Sequence, residues 1–141
     1  MHITFSTKHR VHLIHPPYEA ELHSYLGGIC KNMNCQPIKI GGFTNHVHIL
    51  CMLSKNVALA KLLDEVKSHS SKWFKTLDPS LQKFYWQDGY GAFSVNPAEV
   101  DVVIAYIQNQ HEHHRKKTFE EEYLAFLKKY GIAYDERYVW D

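Results

Sequence analysis

The sequence predicts an α+β fold: a ferredoxin-like, RRM-like antiparallel sheet of four strands in the order β-α-β-β-α-β, with helices on one face and further helices toward the C-terminal end. Three observations predict it. Short β-prone runs recur in which apolar and polar residues alternate. Two longer stretches between them repeat apolar residues at the three-to-four spacing of a helix. The pair Gly41–Gly42 divides one β-prone region in two, as a hairpin does. No repeat, low-complexity run or linker rich in Pro, Gly or Ser interrupts residues 1–141, so they read as one domain.

Residues 2–7, HITFST, alternate and form the first strand. After Pro16 and Pro17, residues 18–33 carry Leu22, Tyr25, Leu26, Ile29 and Met33 at helical spacing. Residues 37–40 and 43–52 read as two strands joined around the glycine pair. Residues 57–77 repeat Leu59, Leu62, Leu63, Val66, Trp73 and Phe74 on one helical stripe. Residues 79–89 read as irregular and 90–95 as a short strand. Asn96 is an N-cap residue before Pro97 in the first turn of a helix that runs to about His113. Thr118 and Glu121 have capping-box spacing before a last helix, which Gly131 ends.

Hydrophobic residues make up 45% of the chain and charged residues 22%, which suits a packed domain rather than a disordered one. No apolar stretch approaches the roughly 20 residues that cross a bilayer. The opening MHITFSTKHR lacks the apolar block of a secretory signal, so a cytoplasmic protein with no membrane partner is expected. Three cysteines, Cys30, Cys35 and Cys51, are an odd number and read as reduced thiols. A net charge of +1 gives no strong overall field, so any binding of nucleic acid must rest on local patches. Eleven histidines and nine tyrosines stand out, since histidine is the commonest metal ligand and tyrosine can serve as a covalent nucleophile.

In the strand Thr44-Asn45-His46-Val47-His48-Ile49-Leu50, alternation puts His46 and His48 on one face and Val47 and Ile49 on the other. Two imidazoles so placed make half of a divalent-metal site; two ordinary histidines on a half-buried strand fit the same pattern. Histidine-triad nucleotide hydrolases need a third alternate histidine where Leu50 stands, and two-histidine phosphoesterases need two separate H-x-[ST] repeats. Zinc-finger histidines are spaced by three to five residues, which disfavours a finger using Cys30 and Cys35. In the helix from Asn96, Tyr106 and Gln110 are four residues apart and share a face, while Val103 and Ile107 point toward the side expected to pack on the sheet. A tyrosine of pKa about 10 needs a cation or base beside it to act as a nucleophile, and in isolation a tyrosine such as Tyr106 is more often a core aromatic. Arg115-Lys116-Lys117 is a basic helix end, suited to the helix dipole or to DNA phosphates.

Asn45-His46-Val47-His48-Ile49-Leu50, followed by Tyr106-Ile107-x-x-Gln110-x-x-His113-His114, resembles the single-tyrosine HUH transposases of small bacterial insertion sequences, within the REP-associated tyrosine transposase superfamily. Ser6-Thr7-Lys8-His9-Arg10, Lys67-Ser68-x-x-Ser71-Lys72-Trp73, residues 86–95 and the ending Tyr134-Asp135-Glu136-Arg137-Tyr138-Val139-Trp140-Asp141 extend the similarity over nearly the whole chain. Two departures stand out. Members often begin several residues earlier, so the first strand is short, and Asn45 stands where aspartate is frequent, which removes a charge near the metal.

The resemblance implies a homodimeric enzyme that cuts and rejoins single-stranded DNA at hairpin-bearing element ends. It implies a divalent cation, Mg or Mn, held by His46, His48 and Gln110, and Tyr106 as the nucleophile of a transesterification that passes through a 5′-phosphotyrosine. In relatives the tyrosine helix can complete the partner subunit's site. Lys8, Arg10, Lys67, Lys72 and Arg115 are the candidate DNA contacts, set against the simpler reading of solvated surface charges. Rival readings are a domesticated hairpin-binding protein that no longer cuts, a zinc protein using Cys30, Cys35 and the histidine pair, and a ribonuclease or replication nickase on a similar sheet.

Overall fold

Strand β1 (His2–Ser6) is buried at all five positions in the computed structural model, which describes residues 1–141. A strand buried on both faces belongs in the middle of a sheet that is itself covered on both sides. β1 pairs antiparallel with β3 (His46–Met52) on one side and with the short β4 (Gly91–Phe93) on the other. β2 (Gln36–Phe43) pairs antiparallel with β3, which gives the sheet order β2-β3-β1-β4. The short first strand is thus central and paired along both edges.

Helices α1 (Tyr18–Asn32) and α2 (Leu59–Phe74) lie on one face. Ile3 and Phe5 of β1 and Val47, Ile49 and Cys51 of β3 pack there with Leu22 and Leu26 of α1 and Leu62, Val66 and Phe74 of α2. Each such side chain contributes about 1.5–3 kcal/mol by leaving water, which makes this face the main source of stability.

The β2–β3 hairpin turns at Thr44–Asn45, since Phe43 opposite His46 is its last pair, and not at Gly41–Gly42 as the glycines suggest. Gly41 has another use. A Cβ there would lie 2.6 Å from the carbonyl oxygen and 2.8 Å from the side chain of Ile107, so glycine lets a helix cross directly over β2.

That helix is α3 (Val100–Gln108), entered through a 3₁₀ turn at Pro97–Glu99 that Asn96 caps by accepting from the Ala98 amide at 2.9 Å. The expected run to His113 breaks at Asn109 and resumes as the one-turn α4 (Gln110–His113); asparagine is a weak helix former whose amide competes for backbone partners. Helix α5 (Phe119–Lys129) starts at the predicted capping box of Thr118 and Glu121, and Gly131 follows it with a left-handed φ of 65°. Helices α3 to α5 cover the second face of the sheet, so helices flank it on both sides. No helix is long and apolar enough to cross a membrane.

Candidate active site

The strand alternation that sends Val47 and Ile49 into the apolar core sends His46 and His48 to the second face, where both are fully buried under α3 to α5. Each ring is held from outside. His46 Nδ1 is 2.9 Å from Asn45 Oδ1, and the Asn45 Nδ2 group donates to the Arg10 carbonyl at 3.4 Å, which fixes the amide's orientation. His48 Nδ1 lies 2.8 Å from Nε2 of His2, its neighbour across β1 and β3. Burial, and then the adjacent His48, lower His2 to about 3, so His2 is neutral and can accept the His48 proton. Burial likewise keeps His46 well below the usual histidine range. The Asn45 oxygen therefore fixes the His46 proton on Nδ1 and leaves its Nε2 turned inward, and the His2 contact sets the His48 ring so that its Nε2 faces the same way.

The second-face helices answer with oxygens. Gln110 Oε1 is 2.9 Å from His46 Nε2 and 2.9 Å from His114 Nε2, while its amide nitrogen donates to the Tyr106 carbonyl at 3.3 Å. His114 donates from Nδ1 to the Lys117 carbonyl at 2.6 Å, which points its Nε2 inward as well. From α5, Glu122 Oε1 lies 2.9 Å from His48 Nε2 and 3.5 Å from His46 Nε2. Its Oε2 accepts from the Tyr106 hydroxyl and lies 3.2 Å from His113 and 3.3 Å from His114. Lone pairs facing lone pairs at 2.9 Å repel unless a proton or a cation lies between them. His46, His114 and Glu122 alone offer ligand atoms within 4.8 Å of one another. Imidazole nitrogens combined with amide and carboxylate oxygens suit a divalent cation of the Mn²⁺ kind, so the residues fit the metal expected here.

Tyr106 projects from α3 of the same chain, with its ring centroid 5.7 Å from that of His48. It opens into a cleft of about 280 Å³ walled by Val103, His113, Phe126 and Tyr130. Burial first, and then the Glu122 charge and hydrogen bond, push the Tyr106 phenol up. Burial opposes the charge on Glu122, yet His48 and the hydrogen bonds from His114 and His48 hold its carboxyl well below the usual range. A phenol with a carboxylate acceptor thus stands beside the two histidines.

The expected DNA contacts divide. Lys8 is exposed in a turn where His9 and Arg10 both adopt a left-handed φ of 58°. Arg10 lies 3.7 Å from Glu120 and over the Trp140 ring. Lys72 is exposed on α2, on the far side of the sheet, and exposed Arg115 pairs with Glu112 at 3.0 Å. Lys67 is different: its ammonium donates to the carbonyls of Gln87, Asp88 and Gly89 at 2.8, 3.0 and 2.7 Å. Its donors tie down a loop rather than face solvent, which corrects the reading of Lys67 as a phosphate contact. The zinc reading fails on geometry, because Cys30, Cys35 and Cys51 are buried in the α1–α2 core, on the other side of the sheet from the histidine pair.

His2, His114 and Glu122 are absent from the site residues expected from sequence, although His114 stands in the motif that carries the resemblance. Alternation in β1 places His2 on the face of Thr4 and Ser6, so register with β3 was the one signal for it. Glu122 is one of three successive glutamates opening α5, and nothing in the sequence singles it out.

A family model described as "Transposase IS200 like" matches residues 1–110. The chain belongs to this transposase family. Among solved structures, the transposase is similar in fold to a protein of Deinococcus radiodurans R1 assigned as a transposase, with a TM-score of 0.64 and 18% identity over 77% of this chain and 88% of that one. It is also similar to a REP-associated tyrosine transposase bound to a REP hairpin, with a TM-score of 0.61 and 13% identity over 80% of this chain and 66% of that one. No curated protein matches the transposase significantly. The family match ends at Gln110, so His113, His114 and Glu122 lie beyond it.

Proposed function

We propose that the chain nicks and rejoins single-stranded DNA at hairpin-bearing element ends, with Tyr106 as nucleophile and His46, His48 and Gln110 as metal ligands. The observation that carries this reading is the hydroxyl of Tyr106 on the Glu122 carboxylate that also meets His46 and His48, all within one chain. A divalent cation, Mg or Mn, would polarise the scissile phosphodiester and stabilise the charge growing on its oxygens. The chain's own residues do the rest. Tyr106 oxygen attacks phosphorus and forms the Tyr–O–P bond as the bond to the 3′-oxygen breaks; the phenol proton passes to Glu122 Oε2, and the departing 3′-oxygen takes a proton from solvent. A 3′-hydroxyl from a second cut strand then attacks the 5′-phosphotyrosine and loses its proton to solvent, while Tyr106 leaves and regains its proton from Glu122 Oε2. The energy of the phosphodiester is kept in the covalent link, so no nucleotide hydrolysis is needed.

Substrate binding on this reading joins phosphate contacts from Lys8, Arg10 and Arg115 to shape recognition of a hairpin, with Lys72 a more remote contact. The REP hairpin bound by the similar tyrosine transposase supports that choice of ligand. Working on two element ends calls for a homodimer, although Tyr106 and the histidines already meet within one chain.

The test is Tyr106→Phe on labelled single-stranded DNA carrying a subterminal hairpin. Wild-type protein with Mn²⁺ should yield a denaturant-stable protein–DNA adduct, and the variant should bind the hairpin but form none. An adduct from the variant would remove Tyr106 from its role. Hairpin binding by the wild type with no adduct would favour a protein that binds without cutting.

A further inference from the structure

Glu122 is 2% exposed, and no lysine or arginine forms an ion pair with it; its polar partners are four histidines and a tyrosine. A buried carboxylate without a fixed cation is costly, and imidazoles do not supply the permanent charge that a lysine, an arginine or a bound cation would. The hydrogen bonds of the surrounding rings make the shortage specific. The Nδ1 atoms of His46, His48 and His114 are engaged outward by Asn45, His2 and the Lys117 carbonyl, so three Nε2 atoms converge on the oxygens of Gln110 and Glu122. Three imidazole nitrogens, the Gln110 amide oxygen and the Glu122 carboxylate thus meet around one point, as the ligands of a single cation would.

We infer that Glu122 is the anionic ligand of the divalent cation, contributed by α5 from outside the segment that the family model describes. This rests on the reading of His46 and His48 as metal ligands. The two oxygens divide the work: Oε1 is on the side of the His46 and His48 nitrogens, and Oε2 stays on Tyr106. One carboxylate thereby ties the nucleophile to the cation. An anionic oxygen ligand also biases the site toward hard ions over thiophilic ones. Neighbouring acids are not equivalent, since Glu121 caps the helix and Glu120 faces Arg10.

The test is calorimetric titration of the full chain with Mn²⁺ alone, without DNA. Wild type should bind one ion, and Glu122→Gln should bind it at least about 10-fold more weakly. Glu122→Asp, which keeps the charge, should retain more affinity than Glu122→Gln. The double variant His46→Ala, His48→Ala should show no saturable binding. Wild-type affinity in Glu122→Gln, or equal affinity in the Gln and Asp variants, with binding lost in the double histidine variant, would overturn the role of Glu122 and leave the histidine site standing. Unchanged binding in the double histidine variant, or none in the wild type, would overturn both.

Discussion

Asn45 satisfies two partners with one amide, receiving the His46 Nδ1 proton on its oxygen and giving a proton to the Arg10 carbonyl. An aspartate could do the first and not the second. Placed here, its second oxygen would face a carbonyl in a site that is 5% exposed. The neutral side chain is therefore suited to this loop, where Arg10 holds a left-handed conformation and its carbonyl needs a donor. Asn45→Asp should keep the orientation of His46 and lower stability by about 1–3 kcal/mol, the penalty of an unmatched buried polar group. Urea unfolding would measure it, and an unchanged midpoint would show that the Arg10 contact carries no energy.

At the scale of elements, the site depends on how closely α3 approaches β2. Ile107, which is buried, sits against the open Cα of Gly41, one residue along from Tyr106. Gly41→Ala forces the helix backbone away, because the nearest atom is a carbonyl oxygen and cannot rotate aside. The expected outcome is a loss of about 1–3 kcal/mol from overpacking. A larger loss of adduct formation should accompany it as Tyr106 moves from His48. Adduct yield compared at matched folded fractions would separate the two effects, and equal losses would show that the crossing does not set the nucleophile's position.

For the whole molecule, the second face of the sheet is a buried polar layer and the first face an apolar one, so acid should act mainly through the second. His2 titrates near 3 in the fold against 6.5 for an ordinary histidine. In that window the unfolded chain binds the proton that the folded chain refuses, so stability falls as pH drops below about 6.5. His46 is shifted in the same direction. Glu122 is depressed from 4.5, so its stabilisation is present above that pH and lost as pH falls through the folded value. The metal-free protein should therefore lose on the order of a few kcal/mol between neutral pH and pH 4, with the decline starting near 6.5. Urea midpoints across that range would check it, and a flat profile down to pH 4.5 would contradict the buried, neutral state of His2.

Local patterns were enough for the elements and for half of the site. Period-two alternation put His46 and His48 on one face because a strand admits no other arrangement, and helical spacing put Tyr106 and Gln110 together for the same reason. The capping box at Thr118 and Glu121 was equally legible, since its hydrogen bonds span three residues. Gly41 misled, because a glycine admitting a close crossing looks like a glycine making a turn until the crossing helix is known. The remainder was decided by tertiary structure. That β1 is central and brings His2 to His48, that Lys67 is committed to three carbonyls, and that α5 folds back to place Glu122 among the imidazoles are all contacts between segments far apart in the chain. No local periodicity encodes them; they follow from packing the polar face of the sheet against the polar sides of α3 to α5.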